Sequence, residues 1–160
     1  MIFIISHHPP HRDQLLQFFD QRGFDVCLAP HRENVCDWIK QINPHVVVLD
    51  AFVASPNPIA VLRSIRSEGF KGKVILLANP SIGSLLPEIH QLGIDQVVGG
   101  PGFPENPINF DHLESSIRVV VHPYIAARAH DLFIGRGSKG QKGLDDWLQA
   151  EREILFKKKT

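Results

Sequence analysis

Five short apolar segments, each followed by a helical pattern, restrict the fold of this chain more than any other feature. Between the segments, apolar side chains recur at intervals of three and four residues, as in a helix with one buried face. The third segment, HVVVL, has no polar alternation, which is typical of a strand covered on both faces. Repeated βα units with right-handed crossovers predict an α/β, doubly wound, five-stranded parallel sheet in the order 2-1-3-4-5. The segments are IFII, FDVCLA, HVVVL, KVILLA and DQVVGG, which begin at residues 2, 24, 45, 73 and 95.

The C-terminal part of the sequence predicts a helical hairpin. Residues 124–155 contain two apolar helical stripes separated by a polar, glycine-rich loop. Two short helices bury too little apolar area to fold alone, so we expect the hairpin to dock on its own chain or on a second subunit. The side chains expected at that contact are Phe133, Leu144, Trp147 and Leu148. The sequence thus divides into a first unit, residues 1–121, and a second unit, residues 122–160.

Composition is that of an ordinary globular protein. The 160 residues are 43% hydrophobic and carry a net charge of zero, so electrostatics gives no reason to expect nucleic-acid binding. Residues 122–160 hold eight Lys or Arg and five Asp or Glu, and we interpret this mildly basic end as a solvated terminus. The two cysteines have no metal-type spacing, and no apolar run suits a membrane span or signal peptide, so we expect a reduced, cytoplasmic protein.

One edge of the predicted sheet gathers polar side chains. Doubly wound sheets bind ligands at the carboxyl ends of their strands, where the strand order reverses. Ser6, His7 and His8 follow the first predicted strand, and Asp50 follows the third. The topology therefore predicts that these side chains lie close together.

Two stretches of the chain resemble the receiver domain of two-component response regulators. PHVVVLD, which ends at Asp50, is similar to the receiver segment that ends in the phosphoacceptor aspartate, and HQLGIDQVVGGPG is similar to the region of strand 5. Segment lengths match a receiver almost without gaps from residue 1 to about residue 121. The resemblance implies the flavodoxin-like fold of chemotaxis receivers. The stretch LDDWLQAE, in the second unit, resembles a short bacterial two-helix module with no assigned activity.

The resemblance also implies a set of site residues that this sequence replaces. A receiver holds Mg²⁺ with two acids after strand 1 and with the acceptor aspartate, and it contacts the phosphoryl group with a Ser or Thr and a Lys. The corresponding positions here are Ser6, His7, Ala78 and Gly100. Mg²⁺ prefers hard oxygen ligands, and nothing remains to contact the phosphoryl group. We therefore expect Asp50 to be a retained, solvent-facing carboxylate in a pseudo-receiver.

This interpretation predicts a protein without enzymatic activity or cofactor, which acts by phosphorylation-independent contact with a protein partner. The favoured partner is a second copy of the same chain, in a homodimer. Three alternatives stay open. The first is a genuine response regulator that uses Mg²⁺ and is phosphorylated on Asp50. The second is a metal or small-ligand sensor in which His7, His8 and Asp50 supply the ligands, a set that suits Zn²⁺. The third is weak nucleic-acid binding through the basic terminus.

Overall fold

The computed structural model describes residues 1–30, 34–52, 57–99, 108–138, 140 and 143–158. Its strands form one parallel sheet in the order β2-β1-β3-β4-β5, which confirms the predicted topology. The third strand is central, and all five of its residues are buried. The strands are β1 Ile2–Ile5, β2 Val26–Leu28, β3 Val46–Asp50, β4 Lys73–Ala78 and β5 Gln96–Gly99.

Helices cover both faces of the sheet. One hydrophobic core lies between the sheet and helices α1, α5 and α6, and the other lies between the sheet and helices α2, α3 and α4. Alternate residues of β3 enter the two cores, since Val46 and Val48 belong to the first and Val47 and Leu49 to the second. The helices are α1 Pro9–Gln21, α2 Val35–Ile42, α3 Pro58–Ser67, α4 Leu86–Gln91 (after a 3₁₀ turn, Pro80–Leu85), α5 Phe110–Gly135 and α6 Gly143–Leu155.

Helix α5 is longer than the sequence pattern predicts. The helical pattern of FDHLESSIRVVV predicts a helix over residues 110–121, which ends before Pro123. The structure instead has one helix of 26 residues with Pro123 inside it. Pro123 is exposed, whereas Val121 and Ile125 on either side of it are buried in the first core. Packing on both sides of the proline keeps the segment helical, and tertiary contacts thus override the local signal.

The C-terminal hairpin docks on its own chain. Ala150, Ile154 and Leu155 of α6 are buried in the same core as α1 and α5. Asp25 N donates a 2.7 Å hydrogen bond to Leu155 O. The docking is one of the two arrangements expected from the sequence, and the division into units at residue 121 stays a prediction. Across the described residues, no helix is both long and apolar enough to cross a membrane.

Candidate functional site

Asp50 lies at the carboxyl end of the central strand, as predicted, but it does not face solvent. In the register of the sheet it pairs with Leu77 of β4, and Leu49 before it pairs with Ile5 of β1. The Asp50 side chain is only 1% exposed. The expectation of a solvent-facing carboxylate was therefore wrong. Side chains from the segments that follow β1 and β3 close over this end of the strand.

Both carboxylate oxygens of Asp50 accept hydrogen bonds from the protein. Ser6 Oγ donates to Oδ2 over 2.7 Å, and the backbone N–H of Phe52 donates to Oδ1 over 2.9 Å. His11 Nδ1 lies 3.0 Å from Oδ2. An ionised carboxylate has no proton to donate, so Nδ1 is the donor in this contact. Three donors thus surround a carboxylate that water does not reach.

The position of His11 follows from where helix α1 begins. Pro9 and Pro10 occupy the first two positions of the helix, where a missing N–H has no cost and the fixed φ favours helical geometry. His11 is therefore the third helical residue and not part of a loop, and it is 1% exposed. Its ring makes edge-on contacts with His8 and Phe52, at centroid distances of 4.2 Å and 4.5 Å. These contacts enclose the imidazole against Asp50.

Two imidazole nitrogens in this cluster are buried without a hydrogen-bond partner among the described residues: His8 Nδ1 and His11 Nε2. A buried polar atom that loses its hydrogen bond costs about 1–3 kcal/mol. The histidine seen to bond Asp50 is His11, which the metal hypothesis did not include. The part of the chain that the structure describes contains no group of three His, Cys, Asp or Glu side chains able to hold a metal ion.

Arg12 holds the backbone of Ser6 in place next to Asp50. Its Nη1 donates a 3.0 Å hydrogen bond to the carbonyl oxygen of Ser6, the residue whose hydroxyl bonds Asp50. The sequence groups His11 with His7 and His8 in the stretch SHHPPH, but it does not pair His11 with Asp50 and does not single out Arg12. The signal that could have placed both is the Pro9–Pro10 pair, which marks a helix start.

The remaining receiver-equivalent positions carry no group that could contact a phosphoryl oxygen, as far as the structure describes them. Ala78 is buried at the end of β4, and its methyl group stands where the resemblance implies a hydroxyl. Gly100, at the lysine position, lies outside the described residues. Gly99 before it has φ +86°, and a Cβ there would stand 2.5 Å from Ala78 O. A glycine is therefore required where β5 ends.

The four predicted contact residues of the hairpin have different surroundings. Trp147 packs against the first core and lies 4.9 Å from the His122 ring. Phe133 is half-buried. Leu144 and Leu148 are 71% and 43% exposed. The structure therefore leaves only these two leucines of the four largely available to a partner.

Comparisons with known proteins agree on the fold. No family model and no curated protein matches the sequence. The receiver domain of a DNA-binding response regulator (merR) from Colwellia psychrerythraea 34H is similar, with 23% identity over 76% of this chain and 97% of that chain, and a TM-score of 0.62. The receiver domain of NtrX from Brucella abortus is 14% identical over 76% and 98%, with a TM-score of 0.64. Chemotaxis protein CheY4 from Vibrio cholerae is 12% identical over 74% and 96%, with a TM-score of 0.62.

These similarities define the class of fold. The chain has the fold of a response-regulator receiver domain, with the helical hairpin expected from its sequence at the C-terminal end. The resemblance found in the sequence is confirmed at the level of the fold.

Proposed function

We propose that this chain is a receiver-fold signalling protein that acts by contact with other proteins and is not switched by phosphorylation of Asp50. The observation that carries the proposal is the closed carboxylate. The side chain is 1% exposed, and both of its oxygens accept hydrogen bonds from the chain itself. The receiver fold supports a role in two-component signalling in general terms.

In the part of the site that the structure describes, a phosphodonor has no open path to the Asp50 carboxylate. An acceptor oxygen must approach the phosphorus atom in line with the leaving group. Here Ser6 and His11 already donate to Oδ2, and Phe52 N donates to Oδ1. A phosphodonor can reach the carboxylate only if the His11 ring is displaced, together with its contacts to His8 and Phe52. Nothing in this arrangement prepares an oxygen for attack.

The described groups around Asp50 also do not neutralise the charge of a phosphoryl group. Phosphoryl transfer requires metal ions or cationic side chains that neutralise the charge on the phosphoryl oxygens. The groups seen to contact Asp50 are a hydroxyl, an imidazole N–H and a backbone N–H, all of which donate to it. These donors take three of the roughly four acceptor sites of the carboxylate, and no second carboxylate joins them in the described part of the site. The residues present therefore fit Mg²⁺ poorly, and the proposal includes no cofactor and no catalytic step.

The proposal is tested by incubating the full chain with Mg²⁺ and acetyl phosphate and measuring its intact mass, with Asp50→Asn as the matched control. We expect the wild-type mass to stay unchanged. A phosphoryl adduct that forms stoichiometrically and is absent from Asp50→Asn would overturn the proposal and establish the response-regulator alternative. His11→Ala is a useful third sample, because it removes the enclosing ring without supplying a metal ligand, and it is expected to stay unmodified.

The proposal also places the protein in the cytoplasm. Cys27 and Cys36 are both unpaired, in keeping with a reducing compartment. The partner is a protein, and the surface of the C-terminal hairpin is the candidate contact.

A further inference from the structure

The outer face of helix α6 carries two exposed leucines and two opposite charges. Leu144, 71% exposed, and Leu148, 43% exposed, lie four residues apart and therefore on one face of the helix. Asp145 and Arg152 are exposed on the same side, three residues before Leu148 and four residues after it. Within the described residues neither charge takes part in an ion pair. The opposite side of α6, which includes Ala150 and Ile154, is buried in the core.

This face is complementary to itself. Asp145 and Arg152 are placed almost symmetrically about Leu148 and are separated by about two helical turns, or roughly 10 Å. When two copies of α6 lie antiparallel about a two-fold axis near Leu148, Asp145 of each copy faces Arg152 of the other. Leu148 of each copy then meets Leu148 of the other near the axis, out of water, and Leu144 lies about one helical turn further out on each side. A symmetric dimer uses the same patch on both subunits, and this patch meets that requirement.

We propose that the outer face of α6 binds a second copy of this chain, in an antiparallel arrangement that pairs Asp145 with Arg152 across the two-fold axis. The inference rests on the proposed function, because it names the surface and the partner through which a contact-based signalling protein would act. Charge complementarity favours a second copy over an unrelated partner, because the chain itself supplies both the acidic and the basic member of each ion pair.

The strength of the dimer follows from its size. Helix α6 has 13 residues and is therefore about 20 Å long. One face of so short a helix buries less than the roughly 800 Å² per partner that is typical of stable interfaces. We therefore expect a dimer that dissociates in the micromolar range and weakens with salt, because its ion pairs are exposed. Such a dimer would respond to changes in protein concentration within a cell.

The test is sedimentation velocity of the full chain over a range of concentrations, with variants Asp145→Arg and Arg152→Asp. Each single variant places like charges opposite each other in its own dimer, so each is expected to sediment as a monomer where the wild type forms a dimer. An equal mixture of the two variants restores opposite charges at both pairs. We expect the mixture to regain the dimer, which no structural defect of either variant could produce.

Leu148→Glu should abolish the dimer, and an equivalent change away from the face, Ser115→Glu on α5, should leave it intact. The melting temperature of each variant, measured at a concentration where the wild type is monomeric, shows that the fold is retained. A wild type that is monomeric throughout, a dimer indifferent to Leu148→Glu, or a mixture that stays monomeric overturns the inference. The phosphodonor experiment does not depend on any of these results, so the two proposals fail separately.

Discussion

His11 Nδ1 lies 3.0 Å from Asp50 Oδ2, and the two side chains are each 1% exposed. A receiver-fold protein thus uses an imidazole from the first turn of α1 to cover the carboxylate at the end of its central strand. Ser6 donates to the same oxygen and Arg12 bonds the Ser6 carbonyl, so the segments after β1 and β3 are held together through this carboxylate. The contact is a structural one that needs no ligand.

The His11–Asp50 pair is expected to stabilise the fold as a unit. Asp50→Ala should lower the free energy of unfolding by about 3 kcal/mol, because it leaves the buried His11 Nδ1 without its partner. His11→Ala should lower it by about 1.5–3 kcal/mol, because it removes one of the three hydrogen bonds to the buried carboxylate. The double variant should cost less than the two single changes together, by about 1–3 kcal/mol. Urea unfolding of the four proteins measures this coupling. His130→Ala, an exposed change on α5, is the control, and strictly additive effects would show that the pair makes no energetic contact.

The end of β5 should not tolerate a side chain. Gly99→Ala places a Cβ 2.5 Å from Ala78 O at a φ of +86°, and each feature disfavours alanine. We expect a loss of about 2 kcal/mol or more in the free energy of unfolding. Gly135→Ala is the matched control, because nothing lies within 4 Å of its added Cβ and its φ is not positive. Equal melting temperatures for the two variants would show that the strand end relaxes freely.

Docking of α6 on the core should contribute strongly to stability. Leu155→Ala removes a side chain that is 1% exposed and should cost about 2–5 kcal/mol. Leu144→Ala removes one that is 71% exposed and should change the free energy of unfolding by less than about 0.5 kcal/mol at a monomeric concentration. Thermal unfolding measures both. A similar small effect for the two leucines would mean that the hairpin is detached in solution.

Acidification should destabilise the protein partly through His45. Burial, followed by the nearby positive amino group of Met1, lowers the pKa of His45 below its ordinary value of 6.5. Below that pH the unfolded chain binds more protons at this position than the folded chain does, so the free energy of unfolding falls as the pH drops from 6.5 toward the lowered folded value. Above 6.5 both states are neutral, and the contribution is fully present.

The measurement is the slope of the unfolding free energy against pH, by urea unfolding in steps from neutral pH downward. His45→Gln should flatten the slope in this interval, whereas the exposed change His130→Gln should leave it as it is in the wild type. A wild-type slope retained in His45→Gln would mean that His45 titrates alike in both states.

The fold could be predicted from the sequence because its signals are local and repeated. Five apolar segments separated by helical patterns allow few parallel arrangements, and the short connections select one of them. The predicted end of α5 was wrong because it, too, was read from a local signal. The local signal at Pro123 favours a helix end, but burial of Val121 and Ile125 on either side depends on packing that no local pattern contains.

The site could be predicted only in part. Strand order places Ser6 beside Asp50, since Ser6 follows β1 and Asp50 ends the adjacent parallel strand β3. The covering of Asp50 depends on the rotation of α1, which is set by where the helix begins. The helical pattern RDQLLQFFDQRG predicts a start at residue 12 and leaves His11 in a loop, whereas the actual start at Pro9 turns the His11 ring onto the carboxylate. The expectation of a solvent-facing Asp50 rested on the replaced receiver positions, which contain no information on this helix start.

The closed carboxylate is tested most directly by ¹⁹F NMR of the full chain with Mg²⁺ and beryllofluoride, a phosphoryl mimic that binds the acceptor aspartate of working receivers. A receiver with its acid pair intact serves as the positive control, and Asp50→Asn as the negative one. The account predicts that the wild-type spectrum contains only free fluoride species, identical to that of Asp50→Asn. A stoichiometric protein-bound resonance that disappears in Asp50→Asn would contradict it.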